Sequence, residues 1–181
     1  MRTWGHGKSE CKVKSFCADG VLDEWIVEIV MESVIKHVSQ IRVRYVDTDQ
    51  MRFVHHGKYF EYFEQGRSDL MRAIGLPYSE VEKQGILLPV IEAFAKFRQS
   101  ANYDDVINVE TTVSEMPVAR VRIEYKVYLE GGQEPLVEGY TVHSFVNADT
   151  GRPTRAPSMF LHALEEAFEK SKELYVEKRT A

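Results

Sequence analysis

Asp47-Thr48-Asp49-Gln50-Met51-Arg52-Phe53-Val54-His55-His56-Gly57-Lys58-Tyr59, followed by Phe63-Glu64-Gln65-Gly66-Arg67, is the stretch on which the reading turns. Two acids and two histidines fall in the connection between a strand and a long helix. Upstream, residues Val38–Val46 alternate: Ile41, Val43 and Tyr45 face one way, Arg42 and Arg44 the other. A period of two predicts a half-buried strand. Downstream, the period changes. From about Gly57 to Ile74 the apolar residues Tyr59, Phe63, Leu70 and Ile74 form a helical stripe, flanked by Tyr62, Gly66 and Met71. Gly75 is placed to end that helix and Pro77 to prevent its return.

Such a connection can hold a carboxylate opposite a helix N-terminus. The free N–H groups and positive dipole end there can stabilise an oxyanion. A carboxylate facing that point can attack a carbonyl or deprotonate water. The residue types also have plainer uses. Asp47 and Thr48 suit capping and turn formation. His55 suits packing or solvent, Tyr59 belongs equally to the apolar stripe, and Glu64 could pair with Arg67 three residues on.

Beyond the helix, Ser79 and Glu82 suggest a capping box for one short turn. Strand signals then dominate: Ile86–Ser100 as one bent strand, Val106–Met116, Ala119–Leu129, and Leu136–Val146 returning after the Gly131-Gly132 turn. Asp149-Thr150-Gly151 marks another turn. Pro157-Ser158 opens a last helix carrying Phe160, Leu161, Leu164 and Phe168. Strand, helix, four strands and helix predict an α+β domain with an antiparallel sheet wrapped against one long helix.

The motif residues resemble those of hotdog-fold acyl-CoA thioesterases of the 4-hydroxybenzoyl-CoA thioesterase-like superfamily. The matching residues are Tyr45, Asp47-Thr48-Asp49, Val54-His55-His56, Tyr59, Phe63-Glu64 and Arg67, with Tyr103-Asp104-Asp105 before a later strand. The resemblance spans about Val38 to Glu169. It implies a hotdog fold and an acyl-CoA thioester hydrolase. In it Asp49 is the nucleophile or general base, and the N–H of His56 at the helix start polarises the thioester carbonyl. The His56 imidazole and Tyr59 lie near the site, and Glu64 is a second catalytic candidate. Arg52, Val54, Gly57, Phe63, Lys96 and Arg98 are the expected substrate contacts. It also implies homodimers or homotetramers, no cofactor beyond the CoA of the substrate, and no metal. Two departures stand out: Arg52 where glycine is usual, and His55 where tyrosine is usual. The alternative readings are a hotdog dehydratase or hydratase on acyl thioesters, and a non-catalytic acyl-CoA-binding module.

The remaining composition bounds the answer. The chain has 181 residues, 28 acidic and 23 basic, for a net charge of −5. That mild acidity, without a basic run, argues against nucleic acid as a partner. No apolar run is long enough to cross a membrane. Neither a phosphate loop nor a Gly-x-Ser-x-Gly elbow is present. Cys11 and Cys17 are too few for a disulfide scaffold and fit a reducing cytoplasm. The expected organisation is an N-terminal extension over 1–37, a thioesterase domain over 38–172 and a tail over 173–181. A short helix from Asp19 to about Val34 is expected in the extension, and a start at Met31 would make residues 1–30 an upstream addition.

Overall fold

The computed structural model describes residues 34–180, with side chains through Ser171. The expected helix between Asp19 and Val34, both cysteines and the candidate start at Met31 lie outside the described residues. The elements are β1 (Ile35–Arg42), α1 (Lys58–Ala73), α2 (Tyr78–Lys83), β2 (Ile86–Leu87), β3 (Val90–Phe97), β4 (Val106–Val113), β5 (Arg120–Leu129), β6 (Pro135–Ser144), β7 (Val146–Asn147) and α3 (Ser158–Thr180). Five strands form one antiparallel sheet in the order β1-β4-β5-β6-β3. β2 and β7 make a separate two-stranded pair.

Alternation in the sequence decides the faces. In β4 and β5 every second residue is buried: Ile107, Val109, Thr111 and Val113, then Val121, Ile123, Tyr125 and Val127. α1 lies across that face with Tyr59, Tyr62, Phe63, Gly66, Leu70 and Met71 inward. Phe63 is fully buried and stacks on Tyr125, ring centroids 4.4 Å apart. Gly66 allows the close approach, since a Cβ there would lie 2.5 Å from Thr111 Oγ1. α1 ends as expected. Gly75 takes φ 77°, its N–H reaches the Arg72 carbonyl, and the Leu76 N–H reaches Met71.

A buried polar thread crosses the same core. Tyr125 Oη and Thr141 Oγ1 lie 2.9 Å apart, Thr141 Oγ1 and His143 Nε2 2.9 Å, and His143 Nδ1 and the Leu88 carbonyl 3.0 Å. A carbonyl only accepts, so His143 carries its proton on Nδ1. Nε2 then accepts from Thr141, and Thr141 accepts from Tyr125. Burial holds the His143 imidazole below its ordinary 6.5, in the neutral form this thread requires. Burial likewise raises the Tyr125 phenol to about 12.

Several expected boundaries move. β1 begins at Ile35, three residues inside the expected extension, and ends at Arg42 rather than Val46. Its last residues are replaced by a 3-10 turn, Tyr45–Asp47, closed by the Asp47 carboxylate on the Arg44 N–H. The single strand expected over Ile86–Ser100 is divided at Leu88-Pro89, because proline lacks the N–H that a ladder needs. β2 therefore pairs with β7, and β3 pairs with β6 through an irregularity at Val90/Glu92. α2 starts at Tyr78 behind Pro77, with no side-chain cap from Ser79. α3 continues to Thr180, through the segment expected as a tail.

β3 is an edge strand and is largely exposed. Val90, Ile91, Phe94 and Phe97 are about half exposed. The other free edge belongs to β1.

Candidate active site

The connection between β1 and α1 folds back on itself as a miniature hairpin. The His55 N–H donates to the Asp47 carbonyl at 2.9 Å, Thr48 bridges Val54, and the Asp49 N–H donates to the Phe53 carbonyl at 2.9 Å. The tip, Gln50-Met51-Arg52, closes with the Arg52 N–H on the Asp49 carbonyl. Arg52 has φ 68°, a left-handed conformation that suits glycine. The turn expected from a glycine at this position is thus present with arginine in it, and the Arg52 side chain projects into solvent.

Asp49 stands at this tip, partly buried. Its Oδ1 accepts the Met51 N–H at 2.8 Å, while Oδ2 has no hydrogen-bond partner among the described residues. One oxygen thus fixes the orientation of the carboxylate. At the base of the hairpin, Gly57 caps α1 and donates its N–H to His55 Nδ1 at 3.2 Å. The His56 N–H, one residue before the cap, has no hydrogen-bond partner among the described residues. An unpaired amide at a helix start is a ready donor to an oxyanion. The His56 ring is exposed, 4.1 Å from the His55 ring and edge-on to Phe97 at 6.3 Å.

Asp47 holds the two ends of the hairpin together. Its side chain is fully excluded from solvent. It accepts the Arg44 backbone N–H at 3.0 Å, Nε at 3.2 Å and Nη2 at 3.0 Å, and lies 3.8 Å from Lys58 Nζ. Burial alone would raise the carboxyl, but the bonds and charge of Arg44 outweigh it and hold Asp47 below its ordinary 3.8. Burial, with the Asp47 carboxylate nearby, pushes the Tyr62 phenol above its ordinary 10.

The other expected contacts divide. Tyr59 is a core residue: it is buried, and its hydroxyl accepts the Ala101 N–H at 3.2 Å. Phe63 lies in the core against Tyr125 and does not line an open site. Val54 is buried, with its N–H on the Ala101 carbonyl, and supports the hairpin from below. Glu64 is exposed and forms no ion pair with Arg67, which lies over the Tyr78 ring at 5.7 Å. Glu64 lines a cavity of about 550 Å³ with Arg42, Arg44, Tyr62 and Arg72, and Asp49 is not among its walls. Lys96 is exposed on β3, whereas Arg98 is engaged by Glu138 at 2.6 Å.

Phe97 was not among the expected site residues. It is half exposed, and its ring meets both His56 and Tyr59, the latter at 5.6 Å. Its signal was present in the alternation of β3, which puts Ala93, Ala95 and Phe97 on one face. Among the described residues no group of histidines, cysteines and carboxylates could hold a metal ion, and no helix is long and apolar enough to cross a membrane.

Residues 43–164 match the family described as the thioesterase-like superfamily. YneP of Bacillus subtilis is 30% identical over 126 residues, which cover 68% of this chain and 91% of that protein. The acyl-CoA thioesterase YbgC of Haemophilus influenzae is 31% identical over 88 residues, 48% of this chain and 65% of its own. Among solved structures, a DHNA-CoA thioesterase from Staphylococcus aureus aligns with TM-score 0.68 at 30% identity, covering 79% of this chain and 95% of that one.

Proposed function

The chain belongs to the thioesterase-like superfamily and has its hotdog fold, and from this premise we propose that it hydrolyses acyl-CoA thioesters through Asp49. Water attacks the thioester carbonyl, releasing CoA as the thiol and the acyl group as a carboxylic acid. Asp49 Oδ2 takes the proton from that water, or attacks the carbonyl itself. The His56 N–H receives the developing oxyanion, at the positive end of α1. The observation that carries this reading is the pairing of an oriented carboxylate with an unoccupied amide donor on one short hairpin.

Phe97 supplies an apolar wall beside His56. Arg52 and Lys96 are exposed cations, without an ion-pair partner among the described residues, that can meet CoA phosphates. Glu64 is the alternative carboxylate. The apolar, uncovered β3 edge supports a homodimer, with a site completed at the subunit boundary. The composition supports a cytoplasmic setting, and the proposed chemistry requires no cofactor.

The test is CoA release from a panel of aromatic and aliphatic acyl-CoA esters, read with a thiol reagent. Wild type releases CoA from at least one ester, and Asp49→Asn lowers kcat by 10²-fold or more. Binding of acyl-CoA without any CoA release would make the protein a binder. Full activity in Asp49→Asn with loss in Glu64→Gln would move the chemistry to α1.

A further inference from the structure

Asp47 is built into the hairpin more firmly than a turn residue requires. A surface turn needs a side-chain oxygen on one nearby N–H. Asp47 instead has both carboxylate oxygens engaged by Arg44, its carbonyl on the His55 N–H and its own N–H on the Arg44 carbonyl. Lys58, the first residue of α1, bonds Glu61 through its ammonium at 2.8 Å and keeps that charge 3.8 Å from the same carboxylate. Asp47 thus bonds the residue before the hairpin on one side, and on the other bonds His55 through its carbonyl and attracts the cation of the helix start. Asp49 lies two residues beyond it, and His56 follows the residue bonded to its carbonyl. A change in the contacts of Asp47 therefore reaches both the carboxylate and the amide donor.

We propose that Asp47 is a positioning residue for the reaction, fixing the separation of Asp49 from the His56 N–H by tying the hairpin base to the first turn of α1. This rests on the thioester-hydrolase reading above. A misplacement of about an ångström in such a pair costs on the order of 10²-fold in rate. Asp47→Asn keeps the shape but replaces one charged acceptor oxygen with an amide donor, facing Arg44 and Lys58. The hairpin keeps its backbone contacts but loses part of the charged tie to Arg44.

Three readouts test it: CoA release, melting temperature, and the affinity for a non-hydrolysable acyl-CoA thioether. For Asp47→Asn at a temperature well below its melting point, kcat falls 10- to 100-fold. KM and thioether affinity stay within threefold of wild type. Beside Asp49→Asn, the further loss from Asp47→Asn is under threefold, because the geometry it secures no longer serves a carboxylate. If Asp47→Asn does not fold, Arg44→Lys carries the same test; it keeps the charge but loses the forked contact. A kcat loss of about fivefold with unchanged thioether affinity is then expected. The proposal fails if kcat stays within threefold of wild type, if thioether affinity falls in step with kcat, or if the same multiple is lost beside Asp49→Asn. A wild type that releases no CoA from any ester overturns the hydrolase reading and this inference together. An active wild type, a dead Asp49→Asn and a normal Asp47→Asn overturn this inference alone.

Discussion

Arg52 sits three residues beyond Asp49 with φ 68° and donates its N–H to the Asp49 carbonyl at 2.9 Å. A residue with a Cβ is strained there by about 1–2 kcal/mol, and glycine escapes most of that at the cost of unfolded-state entropy. Arg52→Gly is therefore expected to stabilise the protein by about 0.5–1 kcal/mol, raising Tm by about 2 °C in a thermal melt. The same change removes a free cation beside Asp49. KM for the CoA ester should rise severalfold, with kcat nearly unchanged. A lowered Tm would show that the arginine side chain supports the turn.

Phe97 and Phe63 separate by exposure. Phe63 is fully buried on Tyr125, and Phe63→Ala should cost about 3–5 kcal/mol in denaturant unfolding. Phe97 is half exposed, so Phe97→Ala should leave Tm within about 2 °C of wild type. Its kcat/KM should nevertheless fall about tenfold for bulky acyl groups, because the wall beside His56 is gone. Equal kcat/KM for wild type and Phe97→Ala across the acyl panel would remove Phe97 from the site.

Lys96 and Arg98 should differ in the same assay. Arg98 is already held by Glu138 at 2.6 Å, whereas Lys96 makes no ion pair among the described residues. Lys96→Ala should raise KM for the CoA ester about threefold at low salt, and the difference should shrink toward 0.5 M salt as screening grows. Arg98→Ala should change KM by less than twofold.

Acid should weaken the fold in two stages. His143 is held neutral in the core below its ordinary 6.5, so the unfolded chain takes up a proton first. Stability is then lost as the pH falls below 6.5, until the folded imidazole also titrates. Asp47 is held below its ordinary 3.8, so its contribution is complete above that value and is lost only as the pH falls below it. A plot of Tm against pH should show a shallow decline below 6.5 and a further one below about 4. His143→Gln should flatten the first decline and leave the second. An unchanged first decline would show that another group produces it.

The parts of the fold that were legible in the sequence are those governed by period and by backbone rules. β4 and β5 alternate because one face is buried, α1 shows its stripe, and Gly75 ends α1 at a φ that glycine prefers. The motif also marked the connection that folds into the hairpin carrying Asp49 and His56. What was not legible depended on partners distant in sequence. Tyr59 looked like a site residue until its hydroxyl met Ala101, 42 residues away. Phe97 gained its place only because β3 lies beside the start of α1. Ile86–Ser100 read as one strand because apolar content outweighed Pro89. Glu64 and Arg67 had the spacing of a pair, yet Arg67 lies over Tyr78.

The two oxygens of Asp49 are not interchangeable. One is tethered to the Met51 N–H and the other is not, and an isotope can tell whether the carboxylate bonds to the acyl group or only relays a proton. In a single turnover in ¹⁸O-water, a carboxylate that only relays a proton leaves all heavy oxygen in the released acid. A carboxylate that bonds to the acyl group, and is freed by water at its own carbon, keeps the heavy atom in the protein. Mass spectrometry of the peptide containing Asp49 would record that heavy atom, and its absence would leave the carboxylate as a base.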